Sequence, residues 1–445
     1  MRISDILELR IGLLGFGREG HSTLGLLRRL GHDAVVHVLS DHADQVPPDT
    51  ALNIGDDAVS ALSNLDVLIR SPGFGPSHPI RQAADARRLF QTTSTNLFLG
   101  ELRNEGLPVI GITGSKGKST TSTLAHLVLQ QAGIDSVLVG NIGEPALDNL
   151  ERIVNDRLVT VMELSSYQCA DLPEGCGPSV ACLLDLFPEH LDWHGDARAY
   201  YDAKARIALT QRPGDRFRYN ARSAFQFAGA VLPASSQAIN TPAALHFADG
   251  WFCCGNQRLF PDTQMRLPGR HNRENAVAAF AVAQLFGALP EHLHTVLSTF
   301  GGLPYRLQDE GIYHGIHWVN DSLSTAPEAA AAALQALSPA VHTLIAGGYD
   351  RGYDVSPLID AIVAAGVRTI VLLPQTGSVI ARLARRALPS QDIIEVDTLD
   401  RAVIIARDRT PNGDTCLFSP GAPSYNLYAS FQERGDHFRS LVTSR

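Results

Sequence analysis

The stretch Thr113-Gly114-Ser115-Lys116-Gly117-Lys118-Ser119-Thr120 constrains this chain more than any other. It follows an apolar run, Pro108 to Ile112, that reads as a buried strand, and it precedes a segment, Ser122 to Ala132, that reads as a helix. A glycine turn placed between strand and helix N-terminus turns freed backbone N–H groups inward, with the positive end of the helix behind them. That arrangement is a cradle for phosphate oxygens. Gly114, Ser115, Lys116 and Gly117 then line a nucleoside triphosphate, Lys118 reaches its terminal phosphates, and Ser119 or Thr120 meets a magnesium ion. The usual pattern has a glycine five positions before Gly117, where Ile112 stands, so the match is to a shortened variant. The competing reading is an ordinary glycine turn that opens a helix.

A chain of 445 residues, 44% hydrophobic and 19% charged, is large enough for about three domains. The chain carries no run of the roughly 18 apolar residues that a membrane span needs. Charges break up its first ten residues before an export signal develops, so a cytoplasmic address without membrane attachment is expected. The net charge of −9 argues against a nucleic-acid surface. Six cysteines, Cys169, Cys176, Cys182, Cys253, Cys254 and Cys416, lack paired metal spacing and read as reduced thiols without assigned chemistry.

Residues 10–39 read as strand, glycine turn, helix and strand, with Gly15, Gly17 and Gly20 fitting a dinucleotide fingerprint and Asp41 near the place of a ribose-binding acid. Three readings stay open there: NAD, another nucleotide such as a uridine diphosphate sugar, and a turn without ligand. Strand Val67-Leu68-Ile69 ends in the rigid turn Arg70 to Pro76, the kind that lines ligand crevices. Further on, Glu163 closes the apolar strand 159–162 beside the phosphate loop, where an acid commonly completes a magnesium site; a solvated capping glutamate is its bland counterpart. His190, Asp192 and His194 alternate in a loop, a poor pattern for a transition metal but one that offers a histidine near magnesium. On the helix 199–207, Lys204 shares a side with Tyr200 and Ile207, and periodicity alone makes it a surface lysine with a buried stem.

Residues 216–267 read as short strands and turns. Asn272 and Asn275, one turn apart at the start of an alanine-rich helix, can read an adenine edge, or Asn272 can simply cap the helix. Beyond Gly301, strands near 317–320, 342–346, 369–373, 393–396 and 416–419 alternate with four helices, which predicts a parallel sheet with ligand-facing strand ends at 321–325, 347–351 and 420–425. The fold class is therefore α/β with three domains: 1–97 Rossmann-like, 98–302 phosphate-loop, and 303–445 Rossmann-like.

Taken together, the phosphate loop, Glu163-Leu164-Ser165-Ser166, Glu189-His190-Leu191-Asp192, Gly269-Arg270-His271-Asn272 and Asn320-Asp321-Ser322 resemble the Mur ligase family, in order and spacing, over nearly the whole chain. Gly140-Asn141-Ile142-Gly143, Leu303-Pro304-Tyr305-Arg306 and Ser419-Pro420 are similar to its glutamate-adding member. The resemblance implies an ATP-dependent ligase that joins glutamate to UDP-N-acetylmuramoyl-L-alanine through an acyl phosphate. It implies ATP held by the phosphate loop with Lys118, Asn272, Asn275, Arg306 and Asp321. It also implies two magnesium ions near Ser119, Thr120, Glu163, His190 and a carbamylated Lys204, which overturns the surface reading of that lysine. The UDP-sugar falls to Gly15, Phe16, Gly17, Arg18, Ser71, Pro72, Gly73 and Asn141, and glutamate to Thr325, Arg351, Ser424 and Tyr425.

One departure from the family pattern concerns the amino acid. Leu323 stands where a lysine follows Asn-Asp-Ser in D-glutamate ligases, and Arg351 stands where they place another lysine. That favours the L-glutamate-adding branch, as a cytoplasmic monomer acting on small molecules. The D-glutamate enzyme, a folylpolyglutamate synthase-like ligase, an NAD-dependent oxidoreductase and a catalytically silent ATP-binding regulator are the alternatives.

Overall fold

The computed structural model describes residues 2–40, 46–142, 144–227, 232, 235–267, 269–350, 354–425 and 427–444. Asp41, Gly143, Pro268, Arg351 and the side chain of Asp192 lie outside them. Two compact units divide the chain, Met1–Phe300 and Gly301–Arg445.

The first unit holds two parallel sheets. One has the strand order Thr50–Ile54, Val36–Ser40, Ile11–Leu14, Val67–Arg70, Phe90–Thr93. The other runs Ser236–Ile239, Arg216–Asn220, Val180–Leu183, Val109–Thr113, Val159–Glu163, Ser136–Gly140. The central strands of both are apolar without alternation because helices cover both faces, the usual signature of a buried parallel sheet. Pleating sends Ile110 and Ile112 to one core with Leu124, Val128 and the alanines 276–283. Their neighbour Val109 joins a second core that runs on through Leu97 and Phe98 to Ile11, Val36 and Val67 of the first sheet. One apolar core thus fastens the two sheets. Residues 216–267 do contain short strands, three of which, Leu245–Ala248, Trp251–Cys254 and Gln257–Pro261, make a small antiparallel sheet.

The second unit has the order Gln308–Tyr313, Ile316–Asn320, Thr415–Phe418, Val341–Gly348, Thr369–Gln375, Asp392–Glu395. All its pairings are parallel except the first, an antiparallel hairpin at the edge that the alternation of strands and helices did not predict. Helices Pro327–Leu337 and Phe431–Thr443 are among those covering its faces, and proline at the first position of the former suits a helix start.

Candidate active site

The phosphate loop joins strand Val109–Thr113 to helix Lys118–Gln131. The helix therefore begins four residues earlier than its apolar periodicity suggests, and Lys118, Ser119 and Thr120 form its first turn. Gly117 precedes it at φ +84°, a left-handed backbone that glycine adopts without strain. A Cβ there would lie 2.3 Å from Asn275 Oδ1, so the loop and the helix Arg270–Ala283 meet across a glycine. Asn275 donates to Asn272 Oδ1 at 3.3 Å, and the helix is capped by Gly269 rather than by Asn272, which removes the capping alternative. The Lys118 ammonium folds back on the carbonyls of Gly114 and Ser115, 2.9 Å from each. Ser115 Oγ is fixed by Phe187 and Tyr200, and Lys116 pairs with Glu189 at 2.6 Å.

Glu163 ends its strand at 4% exposure, and its Oε2 is buried without a hydrogen-bond partner. A carboxylate oxygen kept from water and from donors is costly unless a cation meets it. The chemistry of this oxygen suits a magnesium ion, and at 4% exposure the solvated-cap reading of Glu163 fails.

Lys204 sits on helix Ala197–Leu209, whose start is capped by Asp196 accepting from the Ala199 amide. Tyr200, Lys204 and Ile207 share the face turned inward, and Lys204 is only 1% exposed. Its ammonium donates to Thr113 Oγ1 at 3.2 Å and lies 5.1 Å from the Tyr200 ring centroid. Burial, with Lys118 nearby, pulls its pKa down from 10.5 to about 7. The surface reading from periodicity is wrong because the apolar face of this helix buries everything on it, the lysine included.

His190 precedes helix Leu191–His194 in a left-handed backbone, φ 54° and ψ 41°, and packs 5.1 Å from the Tyr167 ring. It lines a cleft of about 370 Å³ together with Lys118, Lys204, Asn141, Pro72 and Glu189. Glu19, Ser165, Ser166, Tyr167 and Tyr200 complete the wall; Ser165 and Ser166 belong to the motif after Glu163, while Glu19, Tyr167 and Tyr200 carried no signal as site residues in the sequence. Glu19 is held by Ser94 and by Gln168, and burial pushes its pKa up.

At the glycine turn of the first sheet, a Cβ on Gly15 would collide with Phe74 at 2.4 Å, and one on Gly20 would meet the Gly15 carbonyl at 2.7 Å. That is the close helix–strand packing the fingerprint requires. Phe16 packs against His21 at 4.1 Å, and Gly17 precedes the helix Arg18–Arg29. Arg18 Nη2 donates to the Gly140 carbonyl at 2.7 Å. Ser71 faces Gly15, and Trp193 Nε1 donates to the Gly73 carbonyl at 3.2 Å, which ties the 71–76 turn to the loop that carries His190.

In the second unit the Asp321 carboxylate accepts from Ser324 Oγ, Ser419 Oγ and the Leu307 amide, and burial raises its pKa. Arg306 is exposed, Leu323 and Thr325 are half-buried, Ser424 is buried and Tyr425 is exposed beside Tyr349. Arg434, which the sequence did not mark, is 1% exposed among these turns.

Sheet order and glycine loop together define a phosphate-loop α/β protein, and comparison with known proteins narrows the class. Residues 112–283 match the Mur ligase middle domain. A UDP-N-acetylmuramoyl-L-alanine--L-glutamate ligase of Xanthomonas axonopodis pv. citri is 36% identical, over 99% of this chain and 97% of that protein. A UDP-N-acetylmuramoylalanine--D-glutamate ligase of Symbiobacterium thermophilum is 35% identical, over 87% and 86%. Among solved structures, the UDP-N-acetylmuramate-alanine ligase of Thermotoga maritima has the same fold, with a TM-score of 0.57 at 15% identity over 97% and 98% of the two chains. The chain belongs to the Mur ligase family.

Proposed function

We propose that this protein is an ATP-dependent ligase that adds L-glutamate to UDP-N-acetylmuramoyl-L-alanine in peptidoglycan precursor synthesis. The observation that carries the reading is the cleft in which Lys118 of the phosphate loop faces buried Lys204 and His190, with Asn141 and Pro72 on the same wall. The full-length L-glutamate-adding relative supports the substrate. Leu323 in place of a lysine supports the L enantiomer, because removing a point charge moves the anchor for one carboxylate.

The substrate's alanine carboxylate attacks the γ-phosphorus of ATP, the bond to the β-phosphate oxygen breaks, and ADP leaves an acyl phosphate. The free amine of glutamate then attacks the carbonyl carbon; the tetrahedral adduct expels phosphate, and the amine proton passes to phosphate or solvent. Lys118 offsets the charge that develops on the transferred phosphoryl group. The Gly114 to Thr120 turn cradles ATP, Asn272 and Asn275 read adenine, and Arg306 and Asp321 complete the nucleotide site. Magnesium, when bound, neutralises the phosphate oxygens; Ser119, Thr120, Glu163, His190 and a carbamylated Lys204 would hold two ions. Lys204 suits carbamylation because an amine with a pKa of about 7 is substantially neutral at physiological pH and so can capture carbon dioxide. Gly15 to Arg18, Ser71 to Gly73 and Asn141 receive the UDP-sugar, and Thr325, Arg351, Ser424 and Tyr425 receive glutamate. Residues 1–97, 98–302 and 303–445 would be the UDP-sugar, ATP and amino-acid domains of a cytoplasmic monomer. Among the described residues, no helix is long and apolar enough to cross a membrane.

Phosphate release measured with UDP-N-acetylmuramoyl-L-alanine, ATP and each pure enantiomer of glutamate tests the reading. Loss of one charged hydrogen bond by the wrong enantiomer predicts about ten- to a hundredfold lower kcat/KM. A preference for D-glutamate would establish the second reading, which the Symbiobacterium relative favours.

A further inference from the structure

Arg434 is a buried cation to which no carboxylate is paired among the described residues. It lies on helix Phe431–Thr443, capped by Ser430, and its side chain runs beneath the ends of three parallel strands. Nε donates to Ser322 Oγ at 3.1 Å, Nη2 to the Ser322 carbonyl at 2.9 Å and Nη1 to the Ala422 carbonyl at 3.0 Å. A Cβ on Gly348 would come within 3.1 Å of Nη1. The guanidinium carbon is 6.0 Å from the Phe418 ring centroid. These partners engage three of its five N–H groups and leave its charge uncompensated. Burial lowers its pKa only to about 10, so it carries that charge at neutral pH. The neighbouring acid, Asp321, accepts instead from Ser324, Ser419 and the Leu307 amide.

A buried, unpaired positive charge is unfavourable in the isolated protein and becomes favourable when an anion arrives. Its place is informative. Ser322 and Ala422 follow the C-terminal ends of strands Ile316–Asn320 and Thr415–Phe418, Gly348 is the last residue of Val341–Gly348, and the C-terminal edge of a parallel sheet is where ligands bind in such folds. By gripping two of these turns through their carbonyls, the guanidinium also fixes which backbone groups face outward.

We propose that Arg434 is a positioning residue for the anionic amino-acid substrate, supplying positive potential beneath the Ser322 and Ala422 turns and holding both in the binding shape without touching the ligand. This rests on the glutamate reading above and adds the residue that favours a second carboxylate over a neutral amide.

The test uses the full chain with Arg434→Gln and Arg434→Lys. Arg434→Gln is expected to raise KM for L-glutamate about tenfold or more, leave KM for ATP and for UDP-N-acetylmuramoyl-L-alanine within about twofold, and narrow the preference for glutamate over glutamine. Arg434→Lys, which keeps the charge and loses the fork, is expected to recover much of the glutamate KM. Equal changes in all three KM values, or a fall in kcat alone accompanied by a lower Tm, would overturn the proposal. Thermal-shift titrations of wild type and Arg434→Lys with L-glutamate, glutarate and glutamine read the same potential without turnover. Stabilisation by the two dicarboxylates beyond that by glutamine supports it, whether or not phosphate is released. No such difference in wild type overturns it, and should Arg434→Gln fail to fold, this comparison decides alone. Absent phosphate release with an intact dicarboxylate shift would instead remove the ligase reading.

Discussion

Replacing Lys204 with methionine should make the protein more stable, and more so in acid than in alkali. The ammonium is held at a pKa of about 7 in the folded chain against 10.5 in the unfolded one. A tenfold change in proton affinity is worth about 1.4 kcal/mol, so below pH 7 the folded state carries a penalty of about 5 kcal/mol, an upper figure for a group this deeply buried. Between pH 7 and 10.5 the unfolded chain binds more protons than the folded one. Stability contributed through this residue therefore rises with pH, and the penalty at pH 9 falls to about 2 kcal/mol. Methionine keeps the unbranched stem and a contact with the Tyr200 ring. It gives up the hydrogen bond to Thr113 Oγ1, worth about 1 kcal/mol, although that hydroxyl still donates to the Leu164 carbonyl at 2.8 Å. The net gain expected is about 3 to 4 kcal/mol at pH 6 and about 1 kcal/mol at pH 9. Urea titrations at both pH values, in buffer purged of carbon dioxide so that the amine stays unmodified, measure it through tryptophan fluorescence. A variant less stable than wild type at both, or a difference that does not change with pH, would refute the argument. The same variant should be inactive.

Lys118→Met should lower phosphate release by about two to three orders of magnitude with little change in Tm, since it removes one preorganised positive group from the transferring phosphoryl; it should also raise the pKa of Lys204, whose charge Lys118 opposes. Gly117→Ala places a side chain at φ +84° against Asn275 and should weaken nucleotide binding about tenfold or more in calorimetry; unchanged affinity would mean that the loop is not the cradle.

The phosphate loop, Glu163 and the alternation of strands and helices in the second unit were legible because each is local: a turn, a strand end, a period. Asn272 and Asn275 needed only helical spacing to be placed on one turn. The burial of Lys204 was not legible from period alone, since it depends on what packs against that helix face, and only resemblance pointed inward. Arg434 escaped for a related reason: its meaning comes from carbonyls contributed by turns about 110 and 12 residues away in sequence. The edge strand Gln308–Tyr313 escaped too, because Gln-Asp-Glu-Gly is half-exposed and lacks the apolar alternation that marks a strand. Arg351, on which the expectation of the L enantiomer partly rests, is outside the described residues.

The left-handed backbone of His190 has a consequence for how such a protein can be improved. An L residue in that region costs about 1 to 2 kcal/mol, which glycine would recover. Selection for heat resistance alone would therefore enrich glycine at this position, and a library scored only on survival of the fold would report His190 as a defect. Scored for both survival and turnover, the same library would make positions of opposite sign stand out, so that a map of where stability and activity disagree would trace the cleft without any ligand in hand.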